Sequence, residues 1–214
     1  MEVKTEKLVE IYRELFHAFG PQHWWPGETP FEIALGAILT QNTNWGNVER
    51  AIENLKKGEA LKARAIYGMP AGKLALLIMP AGYFNIKAKR IKAFISFLMS
   101  EYQGSMEKLK GEGLKILRSK LLKVNGIGPE TADSILLYAL NKPVFVIDTY
   151  TKRVLSRHNI MDYNESYERF QELFHSSLKR SVRLFNEYHA LLVRVGKAFC
   201  RTRPLCKECP LEGV

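Results

Sequence analysis

The residues of this chain whose types and spacing could do chemistry are Gly126-Ile127-Gly128-Pro129, then Asp148, a scatter of tryptophans and three late cysteines. Pro129 suits the first position of a helix, where its missing N–H would have no intrahelical acceptor. Gly126 and Gly128 can take positive φ, which turns the backbone tightly and brings main-chain N–H groups to the surface. Such groups at a helix start favour an anion, phosphate above all. Beyond Ala139 the apolar periodicity stops, and Pro143 imposes extended chain. Asp148 then stands immediately before a new helical run, Thr149–Arg157, where its carboxylate would cap the helix and be held ionised. The pattern is a phosphate-gripping hairpin with a single acid further on.

The elements that must position these groups are helical throughout. Leu8, Ile11, Tyr12, Leu15, Phe16 and Phe19 share one face of a helix over residues 5–19, which ends at Gly20-Pro21. His23-Trp24-Trp25-Pro26-Gly27 is too rich in Pro and Gly to continue it. Thr29-Pro30-Phe31-Glu32 reads as a capping box opening a helix through Thr40. Gln41-Asn42-Thr43 interrupts, and a helix with Val48, Ile52 and Leu55 follows Trp45. A long basic helix after Gly82 is expected to bury Ile86, Ile91, Phe94, Ile95 and Leu98 and to expose Lys87, Lys89, Arg90 and Lys92. Leu117, Leu121 and Leu122 approach the hairpin. Residues 165–178 bury Tyr167, Phe170, Phe174 and Leu178. Residues 181–199 bury Leu184, Phe185, Tyr188, Leu192 and Val195. No succession of alternating strands occurs, so the predicted class is all-α.

Composition bounds the reading. The 214 residues, 46% of them hydrophobic, suffice for one large or two small domains. No run of 18 apolar residues and no signal-peptide pattern is present, which predicts a soluble intracellular protein. A net charge of +10 favours a polyanionic partner, and a membrane surface or RNA would account for it equally well. Cysteine is confined to Cys200, Cys206 and Cys209, a crowding that suggests a metal site more than a disulfide framework.

Leu122, Val124, Gly126, Ile127, Gly128, Thr131, Ala132, Asp148, Thr149 and Arg153 together resemble the helix-hairpin-helix, Gly/Pro-rich loop and Asp of the endonuclease III-like DNA glycosylases. The HisTrpTrpPro loop, Leu39-Thr40-Gln41-Asn42 and the aromatic Trp45 are similar to the 3-methyladenine glycosylase branch. The resemblance implies two helical domains flanking a DNA-binding cleft. Residues 28–140 would form one and residues 1–27 with 141–214 the other. It implies a cytoplasmic, nucleoid-associated monomer acting on double-stranded DNA that contains a damaged base.

Asp148 would then be catalytic, since breaking an N-glycosidic bond builds positive charge on the sugar that a carboxylate stabilises, or needs a water that it activates. Family members that also cut the strand carry a lysine where Glu130 stands here, and a carboxylate cannot do amine chemistry. A monofunctional glycosylase follows. Trp24, Trp25, Pro26 and Trp45 offer flat surfaces for an extruded base, and an indole face favours a cationic alkylated purine. The sequence does not choose among them. Lys197 matches a pocket lysine of the same branch and could equally be a snorkelling surface residue. Gln41 matches the position that fills the gap left by the base, and could also be a helix cap. Main-chain N–H groups of Gly126 and Gly128, with Ile127, Thr131, Lys123, Lys87, Lys89 and Arg153, are expected at the DNA backbone.

Relatives in this family carry four cysteines holding a [4Fe–4S] cluster. Cys200, Cys206 and Cys209 match three, and the fourth would fall at position 215, one past Val214. A cluster cut short and a degenerate site that is empty or binds zinc are both consistent. Rival readings are an oxidised-pyrimidine or mismatch glycosylase with lyase activity, and a non-catalytic lesion-binding module.

Overall fold

The computed structural model describes residues 2–25 and 27–214. Among them every regular element is helical. In chain order they are α1 (Glu2–Phe19), α2 (Pro30–Leu39), α3 (Trp45–Lys57), α4 (Ala63–Gly68), α5 (Ala71–Leu77), α6 (Phe84–Tyr102), α7 (Met106–Lys110), α8 (Leu114–Leu122), α9 (Pro129–Ser134), α10 (Thr149–Arg157), α11 (Tyr167–Ser177) and α12 (Val182–Ala198). Short 3₁₀ turns occupy Met79–Ala81 and Cys206–Glu208, and α9 runs on into a π-helical turn, Ile135–Ala139. The chain separates into two compact units, Met1–Trp25 with Pro143–Val214, and Pro26–Lys142. They are called the terminal and the central unit below.

The central unit is built on α2. Thr29 caps it by accepting from the Glu32 N–H, Pro30 opens it, and Ala34 to Leu39 are all buried. A helix that apolar on every side belongs inside, and α3, α6, α9 and the π turn pack around it. Below the hairpin, Asp133 is fully buried and held by Arg118, whose Nε and Nη2 donate to its two oxygens at 2.7 and 3.0 Å. That fork satisfies a carboxylate that would otherwise be costly to bury.

Two expectations for α6 fail together. Lys87 is buried and Ile86 is 52% exposed. Ile91, Phe94, Ile95 and Leu98 define a stripe whose continuation one turn earlier is position 87, and Ile86 lies off it. The Lys87 ammonium reaches the Ala81 carbonyl at 2.7 Å. Burial, and then the nearby Arg90 charge, push its pKa down to about 8.

In the terminal unit α1 packs on α11 and α12, and the buried Tyr188 hydroxyl donates to the Leu8 carbonyl at 2.7 Å. Tyr167, Leu178 and Leu184, expected inside, are only half-buried. Residues 144–147 are buried and belong to no regular element. Buried backbone groups need partners, and α11 side chains provide three of them. The Phe145 N–H donates to His175 Nε2 at 2.9 Å, Gln171 Nε2 donates to the Phe145 carbonyl at 2.7 Å, and the Ile147 N–H donates to the Tyr167 hydroxyl at 3.3 Å. Phe145 stacks on Phe174 with centroids 3.6 Å apart. This clamped segment delivers Asp148.

Candidate functional site

Asp148 is the N-cap of α10, its Oδ1 accepting the Thr151 N–H at 2.7 Å. Its Oδ2 lies 3.5 Å from His189 Nε2 on α12, and the two side chains are only 12% and 5% exposed. Burial pushes the Asp148 carboxyl up. The nearby His189 and the Thr151 N–H outweigh it and hold the carboxyl below the ordinary carboxylate value. An ionised carboxylate can therefore persist in a largely dry setting, which is what charge stabilisation demands. His189 escaped the sequence reading because an isolated histidine on an apolar helix carries no local signal of a partner so distant in the chain.

In the same unit Trp24 and Trp25 meet edge to face, with centroids 5.7 Å apart at 81°. Both are half-buried, and the Trp24 indole N–H is buried without a partner among the described residues. Lys197 is exposed, with Nζ 5.9 Å from the Trp24 ring centroid and 6.0 Å from that of Tyr150. Tyr150 follows Asp148 by two residues and touches α12 where Gly196 has no side chain. Pro26 lies outside the described residues.

Arg153 departs from expectation. Its Nε donates to the Cys200 carbonyl at 2.6 Å and its Nη2 to the Gly196 carbonyl at 2.9 Å. The last carbonyls of α12 lack helical partners and carry partial negative charge, so a cation from α10 settles there. Arg153 fastens helix to helix, which removes it from the expected phosphate contacts.

In the central unit Gly126 adopts φ +84, whereas Gly128 has φ −88 and needs no special freedom. Open space lies where a Gly128 side chain would be. Ile127 is buried and anchors the turn. Gln41 Nε2 donates to the Gly126 carbonyl at 3.1 Å and to the Thr131 hydroxyl at 2.8 Å, and Arg90 Nη1 donates to Gln41 Oε1. Thr131 is thus buried beneath Gln41, so it sets the hairpin's shape. Arg90, expected as a solvated charge, is a structural member of this network. Lys123 and Lys89 are exposed. Trp45 opens α3, donates from Nε1 to Glu49 Oε1 at 2.7 Å, and borders an open hollow of about 530 Å³ with Glu28, Glu32 and Glu53.

Cys200, Cys206 and Cys209, the residues matched to the cluster that the resemblance implies, stand around one cavity of about 250 Å³. Cys200 is buried, Cys206 exposed and Cys209 half-buried. Arg157 Nη1 donates to Cys200 Sγ at 3.3 Å, and burial raises the Cys209 thiol above its usual value. No three His, Cys, Asp or Glu side chains among the described residues converge as metal ligands, and a cluster wants four thiolates.

The fold is that of a glycosylase. It superposes on a trapped endonuclease III–DNA covalent intermediate with a TM-score of 0.84, at 20% identity and covering 97% of this chain and 93% of that one. The chain belongs to the HhH-GPD superfamily of base excision DNA repair proteins, whose family description matches residues 35–180, and it is a DNA repair glycosylase of that family. It is 46% identical over 212 residues to a Methanocaldococcus jannaschii protein provisionally named a DNA repair glycosylase, covering 99% of this chain and 96% of that protein. It is 27% identical to Thermotoga maritima endonuclease III, covering 96% of this chain and 91% of that protein. Among solved structures, an H. pylori 3-methyladenine DNA glycosylase bound to 1,N6-ethenoadenine is 31% identical, with a TM-score of 0.78 and 91% of this chain and 97% of that chain covered. No helix among the described residues is long and apolar enough to cross a membrane.

Proposed function

We propose that the chain hydrolyses the N-glycosidic bond of an alkylated purine flipped from duplex DNA and leaves an abasic site uncut. The observation that carries the reading is Asp148, an ionised carboxylate only 12% exposed beside His189 at the head of α10. As the base departs, positive charge grows on the deoxyribose, and this carboxylate stabilises it or takes a proton from the attacking water. The surface of Trp24 and Trp25, in the same unit, supports a base site, with Lys197 at its edge. Indole faces favour cations, and a purine alkylated at N3 or N7 is cationic, with a glycosidic bond already weakened. In the central unit, Gly126 and Gly128 N–H groups, Lys123 and Gln41 serve the DNA backbone and the gap left by the base, with Trp45 a further stacking surface.

Glu130 supports hydrolysis over lyase chemistry, since it stands where strand-cutting relatives place their amine. The test is base release from a panel of single-lesion duplexes, including 3-methyladenine and 7-methylguanine, by wild type and D148N. Release by wild type and at least a hundredfold loss in D148N are expected, on the order of what a positioned acid or base contributes. Borohydride trapping on the same abasic duplexes should yield no covalent adduct. A trapped adduct would return the protein to the lyase reading, and a wild type that binds lesions without releasing a base would make it a recognition module.

A further inference from the structure

We propose that His189 is the positioning residue for Asp148, fixing the orientation and the charge of its carboxylate from α12. The proposal rests on the role given to Asp148 above. The two oxygens of that carboxylate are not equivalent. Oδ1 is committed to the Thr151 N–H as the helix cap, so Oδ2 is the oxygen left for substrate, and Oδ2 is the one His189 faces at 3.5 Å.

The imidazole is itself firmly held. It meets the edge of Phe145 at 6.3 Å and 81°, and Phe145 is stacked on Phe174. The preceding residue, Tyr188, is tied to α1 through the Leu8 carbonyl. Asp148 sits where the clamped segment becomes α10, whereas His189 rides on a buried helix. The histidine therefore supplies a rigid reference for a carboxylate that has only its own helix otherwise. The groups that act on Asp148 come from two elements. His189 of α12 is the titratable one, and Thr151 of α10 contributes an N–H and a hydroxyl without charge. A carboxylate this dry is costly unless paired, and the pair is what keeps it ready to meet a cationic sugar.

A merely structural histidine and a positioning one differ in what their loss does to pH dependence. Loss of packing lowers base release equally at every pH. Loss of the partner lets Asp148 take a proton at higher pH, so the acid limb of the profile moves up. The experiment compares wild type, His189→Phe and His189→Gln in single-turnover base release across pH, with folding checked by circular dichroism. In parallel, protein labelled at aspartate carboxyl carbons is titrated by NMR, with D148N assigning the Asp148 resonance. In both variants the acid limb and the Asp148 midpoint should rise together by about one pH unit, a roughly tenfold deficit below the limb. His189→Gln keeps a donor near Oδ2, so its plateau rate should lie closer to wild type than that of His189→Phe. If both quantities stay put in folded variants, the proposal is wrong whatever happens to the plateau. Should wild type release no base, the glycosylase reading fails by itself and the carbon midpoint decides: a shift sustains the pairing, an unmoved value overturns it.

Discussion

Replacing Gly126 with alanine tests the network that shapes the hairpin. At φ +84 an alanine is strained by about 1–2 kcal/mol. Its Cβ would also overlap Arg90 Cγ and lie 2.7 Å from Arg90 Cδ, so the arginine stem must move. Moving it breaks the donation from Arg90 to Gln41, a half-buried charge-assisted bond worth about 1–2 kcal/mol. The expected total is about 2–4 kcal/mol, or a fall in Tm of roughly 5–15 °C for a chain of this size. Thermal and urea unfolding would measure it, with Gly128→Ala as control, because open space and φ −88 there predict a change within about 0.5 kcal/mol. In an Arg90→Ala background the cost of Gly126→Ala should drop to the backbone part alone. Equal costs with and without Arg90, or a Gly126→Ala protein as stable as wild type, would mean that Arg90 does not couple to this turn.

Three further outcomes follow from the same structure. Gly196→Ala places a Cβ 2.6 Å from Tyr150 Cδ1, so α10 and α12 must part; about 1–3 kcal/mol of stability should be lost, and base release with it, measured by calorimetry and single-turnover assay. Lys87 has a folded pKa of about 8 against an ordinary 10.5, so the unfolded chain binds more protons at this position between those values, and the Lys87 contribution to stability rises with pH across that window. Lys87→Met should remove that rise, seen as a flatter difference in urea midpoint between pH 8 and 10.5. Arg153→Ala should weaken the junction of α10 with the end of α12 by about 1–3 kcal/mol while leaving the salt dependence of DNA binding unchanged; a reduced salt slope would restore it as a phosphate contact.

Much of the local design was legible in the residues. Thr29 before Pro30, Asp148 before Thr149 and the periodicity of α12 announce themselves because capping and amphipathicity act over one or two turns. The all-α class and the place of Asp148 at a helix head followed from that alone. What the tertiary structure decided were the long-range pairings. Arg90 turned from solvent to Gln41, Lys87 took the buried stripe, and Arg153 found the carbonyls of α12 because only packing brings those acceptors within reach. Gly128, a glycine by sequence, proved to need none of a glycine's freedom, since its φ is that of any residue. His189 is the clearest case. A histidine among apolar neighbours reads as core until a folded chain puts a carboxylate 3.5 Å from it.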